Sequence, residues 1–461
     1  MKLKIKSDLL LFRTLSVCGL LAIFSCKKFV EVDPPINQVN TAPVYSSDAT
    51  ATSAVNGLYS TIMNDYNGLL NGGVSLYSGL SSDELVSTST SQDDIAAFQT
   101  NSLQSTNSIA AALWSNGYNY IYQTNALLEG LAHSQGVSPS TLTQLTGEAK
   151  FLRALTYFYL VNLFGDVPLI TSTDFRQNAR QARNAKVDIY VQIISDLENA
   201  ESQLPAAYVG SDRTRPNKWA ISALLARVYL YQKNWAKAEA KASEVIGSGV
   251  YTLEPTNPFT YTSNETIFQI IPVSPYANTA EGSDFVPFSS TDVPFYILSN
   301  NLMTSFETGD TRVGNWIGTN MVGTTAYNYP SKYQNNSGPP YTEYNIVLRL
   351  AEQYLIRAEA RAQQNNLNGT KDDLNAVRAR SGLGQTTDTD QASLLAAITH
   401  ERQVELFGEW GHRWLDLLRT GKADAVLAPI KGTAWQPTDQ LYPIPYSQLK
   451  ANPQLVQNIG Y

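Results

Sequence analysis

One stretch of this chain constrains the fold more than any other, because it reads as a helix that is apolar on nearly every face. Residues 147–164 read Gly-Glu-Ala-Lys-Phe-Leu-Arg-Ala-Leu-Thr-Tyr-Phe-Tyr-Leu-Val-Asn-Leu-Phe, and Gly165 and Pro168 then provide a stop. A helix without a polar face is stable only where other elements cover it. The sequence therefore predicts a deeply buried helix over these residues.

A single helix is predicted over 188–204, and a pair of helices with a specific residue spacing follows it. The pair spans 216–231 and 235–246, and a turn of three residues joins its two helices. Small and bulky side chains fall where a tetratricopeptide repeat places them, at Ala226, Tyr229, Trp235, Ala238, Ala242 and Val245. Such a unit cannot bury its own apolar face, so we expect it to pack against further pairs.

Candidate partners for this pair lie in the C-terminal part of the chain. Residues 344–363 and 371–381 read as a second pair, in which Ala351, Tyr354 and Ala358 supply the close-packing face. A further helix is predicted over 393–410. The alternative is a bundle of unrelated amphipathic helices.

The segments between the predicted helices differ from them in composition. Residues 252–340 are rich in Pro, Asn, Ser, Thr and Gly, and they lack helical periodicity apart from a short helix near 298–306. We interpret 75–108 as a second irregular stretch and 436–461 as an irregular tail. Long excursions of this kind inside a folded chain are usually functional.

The N-terminus has the order of a secretory signal. Three lysines and an arginine precede the apolar run 14–24, which is too short to span a bilayer. Cys26 follows as in a bacterial lipobox, so we expect 1–25 to be a lipoprotein signal peptide and Cys26 to carry the lipid anchor. The alternative is an ordinary cysteine after a weak cleavage site, whereas Cys18 comes too early in the apolar run to be the lipid site.

Composition narrows the range of partners. The net charge of −7 argues against nucleic acid, which requires a basic footprint. Charged residues make up only 16% of the chain, while it has 26 tyrosines and 7 tryptophans. A surface rich in Tyr, Asn, Ser and Thr suits a neutral, polyhydroxylated ligand. A compositional bias of the source organism explains these residue counts equally well.

The chain carries no recognisable catalytic motif. Its three histidines lie outside any His-Glu-x-x-His pattern, and Gly-x-Ser-x-Gly, a phosphate-binding loop and a dinucleotide fingerprint are all absent from the sequence. Glycosidase carboxylates have no local signature, so Asp83 and Glu84 are the pair to test first. We expect a protein that is not an enzyme and needs no cofactor, and we assign no residues as metal ligands, which leaves a structural metal ion open.

Motifs spread over the whole chain resemble a single family. They include Cys26-Lys-Lys-Phe-Val-Glu-Val-Asp-Pro-Pro35, Ala54-Val-Asn-Gly-Leu-Tyr59, Leu163-Phe-Gly-Asp-Val-Pro-Leu169, Ala223-Leu-Leu-Ala-Arg-Val-Tyr-Leu230, Asp310-Thr-Arg312, Glu401-Arg402, Tyr442-Pro-Ile-Pro445 and Asn452-Pro-Gln-Leu-Val-Gln-Asn-Ile-Gly-Tyr461. In order and spacing they resemble the SusD/RagB-like nutrient-binding lipoproteins of Bacteroidetes-type outer membranes.

The resemblance implies an all-α fold of tetratricopeptide-like helix pairs with long irregular inserted loops. It implies a single SusD-like domain over 26–461, with a helical part at 26–250, a loop-rich insertion at 251–340 and a helical part with a tail at 341–461. Charged residues on helices whose other faces are apolar would then be ion pairs of the scaffold, namely Glu148, Arg153, Arg227, Arg349, Glu352, Arg357 and Glu359.

The resemblance also implies a function. The protein would be lipid-anchored at the outer membrane, facing the cell exterior, and would pass a nutrient ligand to a SusC-like TonB-dependent transporter. An oligosaccharide is the expected ligand. A peptide ligand, a hydrolase acting on glycans and a structural lipoprotein without a small ligand are the alternatives.

Aromatic residues in irregular segments are the expected ligand contacts, because sugar rings stack on aromatic planes and their hydroxyls bond to polar neighbours. The candidates are Trp316, Tyr296, Tyr327, Tyr77, Tyr66 and Tyr276, with Asn320 and Asn71 as polar neighbours. Phe285, Tyr329 and Asn67 share the same setting. We rank Trp316 first because its stretch, 314–320, is rich in Gly and Asn and offers the indole few helical neighbours. The competing interpretation is that Trp316 covers the turn at 310–312.

Overall fold

A computed structural model of the protein describes residues 44–89, 93–273 and 278–461. Residues 45–461 group together by their contacts, apart from residues 1–44, and the description concerns this larger unit. The expected signal peptide, Cys26 and Tyr276 lie outside the described residues.

The apolar helix predicted over 147–164 is confirmed, and it runs through the core. It begins at Pro139 and ends at Phe164, and the positive φ of 74° at Gly165 breaks it. Every residue from 151 to 164 is buried. The helices of this part of the chain are α1 (Asp48–Asn64), α2 (Gly73–Ser81), α3 (Asp93–Gln99), α4 (Ser108–Ala132), α5 (Pro139–Phe164), α6 (Phe175–Asn178), α7 (Lys186–Gln203), α8 (Lys218–Tyr231) and α9 (Trp235–Gly247). Helices α4 and α7 pack along α5 and cover it.

The later helices are mostly shorter. They are α10 (Ala280–Phe285), α11 (Asn300–Met303), α12 (Thr311–Trp316), α13 (Leu350–Gln363), α14 (Leu367–Arg380), α15 (Gln391–Leu406), α16 (His412–Arg419), α17 (Ala423–Lys431) and α18 (Tyr446–Ala451), with 3₁₀ turns at Gly432–Ala434 and Pro437–Gln440. The tail predicted to be irregular thus contains a 3₁₀ turn and α18.

Both predicted helical pairs are confirmed. Helix α8 packs against α9, α13 packs against α14, and α9 in turn packs against α13. Ala226, Ala238 and Ala242 are fully buried where α8 and α9 meet, and small side chains let the two backbones approach closely. The bulky Trp235 is only partly buried at the start of α9. The all-α body of stacked pairs that the sequence predicts is therefore present.

Within the residues that the structure describes, six short strands form three antiparallel pairs, β1 (Leu85–Ser87) with β3 (Tyr296–Leu298), β2 (Thr266–Ile270) with β6 (Asn345–Arg349), and β4 (Ile317–Val322) with β5 (Thr325–Pro330). Strand β6 corrects the prediction of one helix over 344–363. Its residues Asn-Ile-Val-Leu-Arg are all buried, and a short apolar run without a polar face fits a strand as well as a helix.

The prediction that 75–108 is irregular is wrong. Helix α2 occupies residues 73–81, and all nine of its residues are buried. Serine and glycine made this segment look like a loop, but their small side chains let the helix pack closely on every side. At Gly79, for example, an added Cβ would lie 2.6 Å from Cδ1 of Leu85.

The charges predicted to be scaffold do form ion pairs. Arg153 bonds Asp196 between α5 and α7, with 2.6 Å between Nη2 and Oδ1. Arg227 bonds Glu352 between α8 and α13, at 2.6 Å from Nε to Oε1. The remaining predicted residues are paired too, as Glu148 with Arg215, Arg349 with Glu265, Glu405 and Glu409, Arg357 with Asp373, and Glu359 with Arg419. Such pairs fix which helices meet, because a buried charge that loses its partner is costly.

Across the described ranges, no helix combines the length and the apolar character that a bilayer crossing requires.

Candidate functional site

Three of the predicted aromatic residues converge on one carboxylate. Tyr66 follows α1, Tyr77 lies in α2 and Tyr296 begins β3, while Asp284 lies in α10. The charge of Asp284 raises the pKa of all three tyrosines, secondary in each case to their burial. The three hydroxyls therefore lie close enough to this carboxylate to sense its charge, although the four residues are far apart in the sequence. We call Tyr66, Tyr77, Tyr296 and Phe285 the aromatic cluster.

Tyr66 is the most exposed member of the cluster, with 52% of its surface accessible. Its hydroxyl donates a 2.7 Å hydrogen bond to Oδ1 of Asp284, while Oδ2 of the same carboxylate is buried without a hydrogen-bond partner. Burial raises the pKa of Asp284 to about 6, against the lowering effect of the bond from Tyr66. The tyrosine ring is thus held on the surface by a carboxylate that ionises near neutral pH.

A tight turn positions Tyr66. Asn67 has a positive φ of 54°, and Gly72 has a φ of 82°. At Gly72 an added Cβ would lie 2.5 Å from Cβ of Ala280, the first residue of α10. Glycine is therefore required there on two grounds, its backbone angle and the close approach of α10. The side-chain amide of Asn71 donates to the carbonyl of Met63 at 2.9 Å, so the predicted Asn71 supports this turn.

Tyr77 and Tyr296 lie beneath the surface, with 7% and 9% of their area accessible. Tyr77 stacks on Phe98 at 4.9 Å between ring centroids, and Phe285 meets Tyr296 edge to face at 6.3 Å. Burial, followed by the charge of Asp284, raises the pKa of Tyr296 to about 12. Tyr77 and Tyr296 are therefore packed inside the protein, near the carboxylate that Tyr66 bonds.

A second buried carboxyl, that of Glu281, lies in the same helix as Asp284. Oε1 of Glu281 accepts a 2.9 Å bond from the hydroxyl of Ser75, and the Ser75 oxygen accepts 2.8 Å from the backbone N–H of Trp410. Burial raises the pKa of Glu281 to about 7, and Asp284 and Glu409 contribute to the rise. Helix α10 therefore carries two carboxyl groups whose pKa values lie well above the ordinary range.

Sequence reasoning missed two exposed rings beside the cluster. Phe288 is 75% exposed and Phe295 is 62% exposed, and both lie in the loop that joins Phe285 to Tyr296. The amide of Asn336 donates to the carbonyls of 286 and 287 and fixes the start of this loop. The sequence did contain a signal for Phe295. Successive side chains of an extended segment point in opposite directions, so the residue before the inward-pointing Tyr296 is expected to point outward.

Two further candidates lie in the β4–β5 hairpin, and one of them, Asn320, supports this loop. The side chain of Asn320 donates to the carbonyls of Ser289 and Asp292, at 2.8 and 2.9 Å. Tyr327 is the residue opposite Asn320 in the hairpin register and is partly exposed. The side-chain amide of Asn320 therefore holds this loop in place.

Trp316 does not have the exposed ring that we expected. Only 2% of its surface is accessible, and its indole lies 5.6 Å from the ring of Phe259. The ammonium of Lys332 lies 4.8 Å from the ring centroid and the guanidinium of Arg380 lies 5.0 Å from it. The expectation failed because the neighbours that cover the indole come from distant parts of the chain. The competing interpretation places the ring over the turn at 310–312, whereas these contacts place it against other cations of the ion-paired scaffold.

Asp83 and Glu84, the pair to test for catalysis, are each only 2% exposed. Both carboxylate oxygens of Asp83 accept bonds from Arg413, at 2.7 and 2.8 Å. Burial and the neighbouring Asp83 raise the pKa of Glu84 to about 8. An accessible catalytic pair would need room for substrate between its carboxyl groups, and these two lie inside the protein.

Among the described residues, one group could bring metal-ligating atoms together, namely Glu307, His400 and Glu401, whose atoms lie within 4.8 Å of one another. Both carboxylates are already engaged by arginines, Glu307 by Arg378 and Glu401 by Arg312. His400 bonds the carbonyl of Ser305 at 2.7 Å. Positive charge so close to the oxygens disfavours a cation here.

Comparison with known proteins gives concordant results. Residues 28–230 match the family model SusD-like_3, described as starch-binding and associating with the outer membrane. A SusD-like protein of Formosa agariphila is 26% identical over 95% of this chain and 97% of its own length. The starch-binding protein SusD of Bacteroides thetaiotaomicron is 26% identical over 75% of this chain and 77% of its own.

Solved structures agree with these matches. A laminarin-binding SusD-like protein superposes with a TM-score of 0.77 and 28% identity, covering 90% of this chain and 100% of that one. A SusD superfamily protein of Bacteroides vulgatus gives a TM-score of 0.80 over 90% of this chain and 100% of that one, at 19% identity. At that level of identity the second similarity concerns the fold alone.

Proposed function

Since this chain is similar to SusD-like proteins over most of its length, we propose that it is a member of that family, a surface lipoprotein that binds an oligosaccharide and delivers it to a SusC-like TonB-dependent transporter. In this proposal the protein catalyses no reaction. The ligand binds over the aromatic cluster, on Tyr66 and on the exposed Phe288 and Phe295. Residues 1–25 form the signal peptide, Cys26 carries the lipid, and 26–461 fold as a single SusD-like domain.

One observation carries the proposal: a half-exposed tyrosine ring is anchored by a carboxylate, beside a loop with two exposed phenylalanines. Apolar rings on a protein surface are costly unless something covers them, and pyranose faces are flat and apolar enough to stack on them. The laminarin-binding relative makes a glucan the first class of ligand to test.

Isothermal titration calorimetry on protein lacking residues 1–26 tests the proposal. Laminarin and starch oligosaccharides are the glycan probes, and a mixture of tryptic peptides is the competing class. We expect a glycan to bind, and we expect replacement of both Phe288 and Phe295 by alanine to lower its affinity by about 1–3 kcal/mol per stacked ring.

The matched control is Phe175→Ala, which removes a ring that is 72% exposed in a different segment, α6. This variant should bind like the parent protein. Equal glycan affinity of the double variant and the parent would contradict the placement of the site. Binding of peptides in place of glycans would contradict the ligand class.

Partner delivery is tested separately. Affinity purification of the full-length protein from detergent-solubilised outer membranes should recover a TonB-dependent transporter in a fixed ratio. Recovery of the lipoprotein alone under mild detergent would contradict this part of the proposal.

A further inference from the structure

A large cavity lies on a different part of the helical body from the aromatic cluster. Its volume is about 780 Å³, and its wall comes from the end of α5, the start of α7, the end of α16 and the C-terminal tail. None of its lining residues belongs to the aromatic cluster or to the loop that carries Phe288 and Phe295. The proposed oligosaccharide site therefore leaves this cavity without a role.

Two cations line the cavity without a carboxylate bonded to either. Arg183 donates to the carbonyls of Asp166 and Val456 and to the side-chain oxygen of Asn458. Lys186 donates to Oδ1 of Asn162 at 3.0 Å. Within the described part of the chain, neither side chain has an acidic oxygen within ion-pair distance, whereas the third cation of the wall, Arg419, is paired with Glu359 and Asp416.

These two cations keep unused donors. An arginine has five N–H donors, of which Arg183 uses three, and a lysine has three, of which Lys186 uses one. The carboxylate of Asp166 lines the same cavity, and its Oδ1 accepts the backbone N–H of Lys186. Two positive charges thus face a single negative one, and the excess favours an anion.

The positions of both cations are fixed by buried partners. Asn162 is 5% exposed and is held by Tyr190, whose hydroxyl lies 2.9 Å from its amide nitrogen. Asn458 is 6% exposed, and its amide donates to the carbonyls of Phe164 and Tyr442. Donors oriented in this way before a ligand arrives lose little entropy when it binds.

The rest of the wall is partly apolar. Leu418, Pro437, Leu441 and Ile459 line it, and Ile459 is 86% exposed. A purely inorganic anion would leave this apolar surface in water. An organic acid would cover it while its carboxylate bonds the two cations.

We propose that this cavity is a second binding site, selective for a small organic carboxylate, with Lys186 and Arg183 as the groups that bind the anion. A carboxylate accepts charge-assisted hydrogen bonds from guanidinium and ammonium groups, and these are roughly twice as strong as bonds between neutral groups. The volume accommodates a molecule the size of a sugar acid. This inference goes beyond the proposed oligosaccharide site and does not depend on it.

Isothermal titration calorimetry at low salt with D-glucuronate, hexanoate, inorganic phosphate and D-glucose tests the inference on the soluble mature chain. Both carboxylates are expected to bind, and glucose is expected to give no heat. Lys186→Gln should weaken the binding of both carboxylates roughly 10-fold or more, since one charge-assisted bond is lost. The side chain of Lys186 is exposed, so this variant should keep its fold.

The matched control is Lys237→Gln, which removes an exposed lysine from α9 and should leave carboxylate binding unchanged. Three results would each overturn the inference: no carboxylate binding, equal weakening by both variants, or glucose binding as tightly as glucuronate. Phosphate binding without carboxylate binding would overturn the ligand class. Arg183→Lys, with its melting temperature measured alongside, separates anion recognition from the contacts of Arg183 with the tail.

Discussion

The hydroxyl of Tyr66 donates a 2.7 Å hydrogen bond to Oδ1 of Asp284, a residue that follows it by 218 positions. This bond joins the turn after α1 to α10 and holds an exposed ring over the aromatic cluster. The pKa of Asp284 is about 6 because the carboxylate is buried, so the strength of the bond changes near neutral pH. Bonds to an ionised acceptor are roughly twice as strong as neutral ones.

Glycan affinity should therefore depend on pH. Above pH 6 Asp284 is ionised and orients Tyr66 firmly, and below it the protonated acid holds the ring less well. We expect affinity to fall as the pH drops from 7.5 to 5, by calorimetry in a buffer series. Asp284→Asn should remove this dependence, and Tyr66→Ala should cost about 1–3 kcal/mol of affinity. An unchanged pH profile in Asp284→Asn would contradict the role given to this carboxylate.

Glu84 should make folding stability fall with rising pH. Its pKa is about 8 in the folded protein against 4.5 as the reference, so between these values the folded state holds a proton that the unfolded state has lost. Stability is then lost as the pH rises across this window, by at most about 1.4 kcal/mol per pH unit.

Glu84→Gln should flatten this decline, measured by urea unfolding at pH 5.5, 6.5 and 7.5. Asp372→Asn, at an exposed position, is the control and should leave the slope as it is. A slope that is the same in parent and Glu84→Gln would show that other groups cause it, Glu281 being the first to examine because its pKa is about 7.

The pair of Arg227 and Glu352 should be essential for stacking the helical pairs. Their side chains are 1% and 2% exposed, and they join α8 to α13. Glu352→Ala leaves the guanidinium buried without its counter-charge, at a cost of about 3–5 kcal/mol in the free energy of unfolding. Lys237→Ala breaks a pair with sides 56% and 50% exposed and should cost less than about 1 kcal/mol. Similar losses in the two variants would contradict the assignment of Arg227 to the scaffold.

Helical periodicity predicted the fold well because it reports local packing. The burial of 151–164 and the alanines at 226, 238 and 242 follow from sequence spacing alone. The periodicity failed where a run is short or its residues are small. The run 345–349 reads equally well as strand or helix, and α2 is built of serine, glycine and leucine whose burial depends on distant partners.

The candidate site was harder to predict, because its parts meet only after folding. The aromatic types were recognisable from the sequence, but nothing local to Asp284 indicates that Tyr66 bonds it or that Tyr77 and Tyr296 lie near enough to sense its charge. Trp316 was ranked too high for the same reason, since the residues that bury it, such as Phe259 and Lys332, lie outside its own stretch.

The lipid anchor at Cys26 remains a prediction from the sequence. Cys26→Ala should move the protein from the membrane fraction to the soluble periplasmic fraction, or stop its processing, because the acyl chains supply the attachment. Fractionation of cells and mass spectrometry of the N-terminal peptide measure this, and Cys18→Ala is the control. Unchanged membrane retention of Cys26→Ala, with no lipid on the peptide, would contradict the assignment.

Trp316 should be a residue of the scaffold, and its replacement should lower stability without lowering glycan affinity. Its ring is buried between Phe259 and Lys332, and its Nε1 donates to the carbonyl of Thr256 at 3.3 Å. Trp316→Ala removes all of these contacts and leaves a cavity, at a cost of about 3–5 kcal/mol in the free energy of unfolding.

Trp316→Phe keeps part of the ring and should recover part of that loss, whereas Trp219→Ala, at a partly exposed position of α8, should cost less. Urea unfolding measures stability, and calorimetry with the glycan, corrected for the folded fraction, measures affinity. If the folded Trp316→Ala variant loses about 1–3 kcal/mol of glycan affinity, the prediction is contradicted and Trp316 is part of the ligand site. Normal binding by an early-melting variant would leave Tyr66, Phe288 and Phe295 as the rings that bind the ligand.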